Sequence, residues 1–201
     1  MMGLVRSALA LVVASLGFTG PALGEPVVLD GITFSDSAGG FEIVDAWGTG
    51  TLEDPFTLVE RVTGSGDAVL LVEGMTREFG NRADSNHFTG FALVKIVFNE
   101  TSQTWRQYRI ELQENPGDGS TYYDGLSFAQ EQGGDARPIV SDSFSQSRVV
   151  DEPADGLVFT GGAVPPGDSV TFSLVVTDNS PVDRFYIVQR RETPLSMLVL
   201  P

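Results

Sequence analysis

The chain has 201 residues, with 27 acidic and 12 basic side chains, one histidine and no cysteine, for a formal net charge of -15. At 41% hydrophobic and 19% charged it has a globular composition, long enough to bury a core without disulfide or metal staples. The lack of cysteine excludes disulfides, thiolate zinc sites, iron–sulfur clusters and thiol catalysis. The acidic balance excludes a nucleic-acid partner, because binding there needs lysine and arginine to displace phosphate counterions.

The first residues read as an export signal. Arg6 is the only charged side chain before Glu25, and an apolar run over 8–18 follows it. Thr19-Gly20-Pro21 then breaks the run ahead of the small-residue site Ala22-Leu23-Gly24. This layout predicts a signal peptide over 1–24, cleaved after Gly24. The run falls short of the roughly 20 residues a spanning helix needs, so no transmembrane anchor is expected. A lipid-anchor motif would require a cysteine. The brief, alanine-rich signal fits a bacterial source and a periplasmic or extracellular destination.

Beyond residue 25 apolar side chains recur at period 2, and almost never at the helical 3.6. Strands are predicted over 27–34, 41–47, 56–63, 68–73, 91–99, 104–113, 126–129, 139–150, 157–160, 169–177 and 184–191. In 104–113, Tyr108, Ile110 and Leu112 share one face, against Gln107, Arg109, Glu111 and Gln113. In 169–177, Val170, Phe172, Leu174 and Val176 oppose Ser169, Thr171, Ser173 and Thr177. The segment 91–98 is apolar on both faces apart from Lys95, as in a central strand covered on both sides. Glycine, proline and aspartate punctuate these runs, as in Asn115-Pro116-Gly117-Asp118-Gly119 and Pro165-Pro166-Gly167-Asp168. A single helical turn is expected near 76–83. The pattern predicts one all-β domain over 25–201, an antiparallel β-sandwich of jelly-roll or immunoglobulin-like topology.

Few residues carry a chemical signature. His87 is the sole imidazole, so any triad must use it, yet no Gly-x-Ser-x-Gly elbow accompanies it and Gly64-Ser65-Gly66 reads as a turn. The carboxylate pairs Glu111 with Glu114, and Asp151 with Glu152, are candidates for glycoside hydrolysis. Glu111 reads more simply as part of an exposed polar face with Arg109. Calcium is the ion the chain suits best, since hard cations take carboxylate and carbonyl oxygens from sandwich-end loops. Three acidic loops qualify: 115–124, 151–156, and 178–183. Asp151, Glu152 and Asp155 of the middle loop are the candidate ligands, having three carboxylates within one turn. Trp105, Tyr122 and Tyr123 are the candidate rings for stacking on a polysaccharide, and Trp47 ends another strand.

The central stretch runs from Phe91 through Asn99-Glu100-Thr101, Trp105 and Tyr108, then Asp124-Gly125-Leu126-Ser127-Phe128. Together with Pro166-Gly167-Asp168-Ser169 and Phe185-Tyr186-Ile187-Val188-Gln189, it resembles exported bacterial β-sandwich proteins of the PEP-CTERM-associated type. The resemblance implies association with the cell surface or extracellular matrix and carries over no catalytic residues. The chain departs from that type after Pro194, where 195–201 is too short to span a bilayer and lacks a basic cluster; a last edge strand is expected there instead. The expected function is therefore non-enzymatic: binding or assembly at the bacterial envelope or matrix, with self-association through edge strands. The alternatives are a calcium-assisted carbohydrate-binding module and a jelly-roll polysaccharide-degrading enzyme.

Overall fold

The computed structural model describes residues 24–121, 123–129, 139–150 and 154–192. Residues 1–23 of the expected export signal, the segment 193–201, Tyr122, Asp151 and Glu152 lie outside them. The described chain is all-β, with two sheets packed face to face.

Thirteen strands form among the described residues: β1 (Val27–Leu29), β2 (Ile32–Ser35), β3 (Glu42–Trp47), β4 (Phe56–Val62), β5 (Ala68–Glu73), β6 (Thr89–Asn99), β7 (Gln107–Gln113), β8 (Leu126–Phe128), β9 (Val140–Ser141), β10 (Phe144–Val150), β11 (Gly156–Gly162), β12 (Ser169–Asp178) and β13 (Arg184–Glu192). The larger sheet has the order β1-β2-β5-β13-β7-β11-β10, and the smaller β3-β4-β6-β12-β8, with β9 also on β12.

Local chemistry explains the departures from the predicted strands. The segment 27–34 folds back on itself because Asp30 and Gly31 take φ of 42° and 95°, giving a two-residue hairpin that pairs Leu29 with Ile32. The 104–113 strand begins only at Gln107, and 139–150 is divided by Asp142 and Ser143. Within 76–83 a turn forms at 77–79 and does not extend into a helix. One pairing is not antiparallel: β4 and β6 run parallel, Phe56 opposite Leu93 and Val62 opposite Asn99. The intervening β5 lies in the other sheet, so the chain re-enters the smaller sheet in its original direction.

Two aromatic clusters fill the interior. Phe34, Phe56, Phe79, Phe91 and Phe185 meet at one end, mostly edge to face. Trp105, Tyr108, Phe144, Phe159 and Phe172 form the other. Lys95 lies four residues along β6 from Phe91 and opposite Phe172. Its side chain turns inward and is wholly buried, bonded to the equally buried Glu60 of β4. Glu60 accepts a second hydrogen bond from Gln189 Nε2 of β13 at 2.8 Å, and Gln189 accepts one from the Tyr108 hydroxyl of β7 at 2.7 Å. This chain of polar contacts crosses the core from one sheet to the other.

Tight backbone approach fixes the turn before β3. Gly40 has φ of 89°, and a Cβ there would lie 1.9 Å from the Asp67 carbonyl oxygen, whereas neighbouring Gly39 (φ 95°) faces open space. Gly39→Ala should therefore cost only the left-handed backbone penalty of about 1–2 kcal/mol. Gly40→Ala should cost that and about 1–3 kcal/mol more for the collision. Urea denaturation of the two variants measures the difference.

Candidate functional site

Strand alternation turns every second side chain of the smaller sheet away from the core, and register sets which of them lie side by side. Trp47, Thr57, Val94, Ser173 and Val140 form one transverse row across β3, β4, β6, β12 and β9. Asp45, Val59, Ile96 and Thr171 form the next. At one end of this outer face Ala83 and Ala129 close over Ala92 and Val175. Elsewhere it is open among the described residues: Trp47 is 45% exposed, Val140 56% and Phe98 39%. Beside Phe98, the Arg61 guanidinium is held between Glu42 at 3.1 Å and Glu100 at 2.8 Å. The row from Trp47 to Val140 has no charged side chain, in a protein of net charge -15.

The acidic side chains gather elsewhere. Loops 115–124 and 178–183 converge, with Asn179 N donating to the Gly125 carbonyl at 3.0 Å. The Asp124 carboxylate caps its own loop, accepting from Ser120 Oγ at 2.7 Å, Thr121 N at 2.9 Å and Leu126 N at 3.1 Å. Asp178 is buried; Oδ1 accepts from Ser180 N at 2.6 Å, and Oδ2 has no hydrogen-bond partner. Burial pushes the Asp178 carboxyl above the usual aspartate range, and the Asp124 charge adds to this. Burial and the charges of Asp124 and Asp178 likewise raise Glu114. Among the described residues no three such side chains are placed to hold a metal ion.

The residues singled out from sequence fall as follows. Trp105 is 2% exposed and packs on Tyr108, with the Arg191 guanidinium over its ring, so it is a core residue and not an open platform for a sugar. Its edge lines a polar groove of about 300 Å³ with Thr63–Ser65, Thr101–Gln103 and Arg191. Arg191 is engaged there with the carbonyls of Gly64 and Gly66. Tyr123 is 90% exposed, immediately before Asp124. Asp155 is buried, its backbone tied to Ser120 and Leu112, while Tyr122, Asp151 and Glu152 lie outside the described residues.

Glu111 does not belong to an exposed face. Loop 114–120 folds over it, and its carboxylate accepts from Gln113 at 2.7 Å and from Arg190 at 2.6 Å, with Arg109 at 3.1 Å. Burial alone would raise its pKa; those hydrogen bonds and charges outweigh it and hold the carboxyl below the usual range. His87 is half-buried, which lowers its pKa, and its Nδ1 has no hydrogen-bond partner, so no carboxylate orients the ring there.

The acidic cluster makes a signed prediction. A carboxyl with a raised pKa is disfavoured as an anion in the fold, so its ionisation opposes folding at neutral pH and ceases to do so on protonation. Glu114→Gln should melt at a higher temperature than the parent at pH 7. The difference should close as pH falls through the ordinary glutamate value of 4.5, in paired calorimetric scans.

Comparison of the chain with protein-family models, curated proteins and solved structures finds no match.

Proposed function

We propose that this is an exported, non-enzymatic β-sandwich protein that acts by binding or assembly at the bacterial envelope or extracellular matrix. A partner protein would dock on the open outer face of the smaller sheet. The observation that carries this reading is the uncharged row from Trp47 to Val140, with Val59, Ile96 and Phe98 beside it. Protein contact surfaces exclude charge from their centres and favour aromatic residues there, and contiguous exposed apolar patches on folded domains mark such contacts. Thr171 and Ser173 supply hydroxyls between the apolar side chains, suiting a contact that forms and dissolves in water. The export reading rests on the 1–24 signal pattern.

Edge strands offer a route to self-assembly. β1 and β10 bound the larger sheet, and β3 bounds the smaller. A bulge between Ile43 and Asp45 interrupts β3 and disfavours pairing there. The seven-residue β10 is the better edge, its exposed Ser145, Gln146, Ser147 and Arg148 giving polar contacts. Val94→Lys combined with Ile96→Glu, both solvent-facing, tests the docking face. The variant should keep the parental melting temperature and lose retention on immobilised envelope fractions, with no change in light-scattering mass if the edges alone drive assembly. Unaltered retention would overturn the docking face.

A second reading, a calcium-assisted polysaccharide-binding module, draws on the Asp178 Oδ2 that lacks a hydrogen-bond partner and on the nearby Asp124 and Glu114 charges, which would have to close further around an ion to ligate it together. Calcium at about 100 times its Kd should then add roughly 2.7 kcal/mol of stability. Melting temperature in calcium against EDTA measures this, and identical values would remove the reading.

A further inference from the structure

Lysine occurs once in the chain; the other eleven basic residues are arginines. That one lysine, Lys95, sits in the core with no exposed surface, its Nζ against Glu60 Oε1. The other carboxyl oxygen, Oε2, accepts from Gln189 Nε2 at 2.8 Å. The Tyr108 hydroxyl donates to Gln189 Oε1 at 2.7 Å, which fixes the amide with its NH2 group toward Glu60. Burial raises the Tyr108 pKa far above the usual range, so this donor stays protonated. All four residues are fully buried.

The Lys95 ammonium and the Glu60 carboxylate touch in a site closed to water, so a proton can pass directly between them. Burial lowers the Lys95 pKa, although the neighbouring Glu60 charge opposes this. Transfer of one proton leaves a neutral amine facing a neutral carboxylic acid, with nothing left to solvate. Two reactants held in this way react with effective molarities of about 10⁵–10⁸ M when aligned. An arginine could not take the role, because its guanidinium stays protonated and has no amine lone pair to offer.

We propose that Lys95 and Glu60 condense in the folded protein to an intramolecular amide that covalently joins β4 to β6. The Nζ lone pair attacks Glu60 Cδ, forming the N–C bond. Negative charge develops on Oε2, where the Gln189 amide donates to it. Nζ passes one proton to Oε1, which already carries the acid proton. The Cδ–Oε1 bond then breaks, water leaves, and Oε2 becomes the amide oxygen. No oxidant, cofactor or second substrate takes part, so a chain without cysteine acquires a covalent strand-to-strand tie.

The test is the intact mass of the full chain after folding and denaturation. The mass should be one water below that calculated from the sequence, whatever N-terminus the spectrum shows. Tryptic mapping should find the peptide ending at Arg61 joined to the peptide ending at Arg106, with no cleavage after Lys95. In denaturant, an amine-acylating reagent should modify the α-amine alone in the parent, and the α-amine plus Lys95 in Glu60→Ala. Gln189→Leu, shown to be folded by circular dichroism, should leave most chains uncrosslinked; full cross-linking in it would overturn the part given to Gln189. A parent chain of full mass with two acylated amines would show a plain ion pair and overturn the proposal, and this result needs no variant to fold.

Discussion

The contact on which the fold turns is the one between Glu60 and Lys95 inside the smaller sheet, extended through Gln189 to Tyr108 in the larger. Hydrophobic burial is tolerant of small displacements, since one methyl group packs about as well as another. A buried lysine–glutamate contact is not. Slipping β4 against β6 by one residue as the chain folds would turn Glu60 or Lys95 to the outer face and strand the other in the core without its partner, at a cost of several kcal/mol. Slipping the larger sheet over the smaller would leave Gln189 and Tyr108 with unmet polar groups. The apolar residues around them supply most of the gain in burying surface, and these four supply the alignment. A fully satisfied polar network of this kind specifies one arrangement of a core that its phenylalanines alone would leave degenerate.

Strand order across the smaller sheet also separates two kinds of surface. The row from Trp47 to Val140 on its outer face is uncharged, with Asp45 in the next row and Arg61, Glu42 and Glu100 beyond, while Glu114, Asp124 and Asp178 cluster at the end of the sandwich where their loops meet. An acidic protein repels copies of itself at long range, which restrains indiscriminate sticking through an exposed apolar face. Close approach is left to partners whose shape and charge overcome that repulsion.

Much of the architecture was readable in advance because strand burial has period 2. Tyr108, Ile110 and Leu112 face inward as the alternation requires, and so do Val170, Phe172, Leu174 and Val176. The rule says nothing of Trp105, because β7 begins at Gln107 and the alternation does not reach back to it. Trp105 is instead held by a bridge to Val164, a partner no local pattern reveals. Glu111 was misread for a related reason: it does point away from the core, but Arg190, 79 positions away, and the loop after β7 cover it. Lys95 stood out as the one polar residue in an apolar strand, yet its partner was invisible, since nothing local announces that β4 and β6 pair in parallel. The acidic loops were each recognisable from composition. Their convergence belongs to topology.

The last described strand occupies the middle of the larger sheet. β13 pairs with β5 on one side and β7 on the other, and it brings Gln189 to the core. Synthesis proceeds from the N-terminus, so every earlier strand of that sheet emerges before the one that joins its two halves. Until residues 184–192 leave the ribosome, β1-β2-β5 and β7-β11-β10 are separate ribbons with no common hydrogen-bonded neighbour. Completion of the larger sheet thus waits for β13, and non-local pairing of this kind is slow in any case. The two half-sheets can each form early, but the layer that covers the core closes only when its central strand arrives after all of its neighbours.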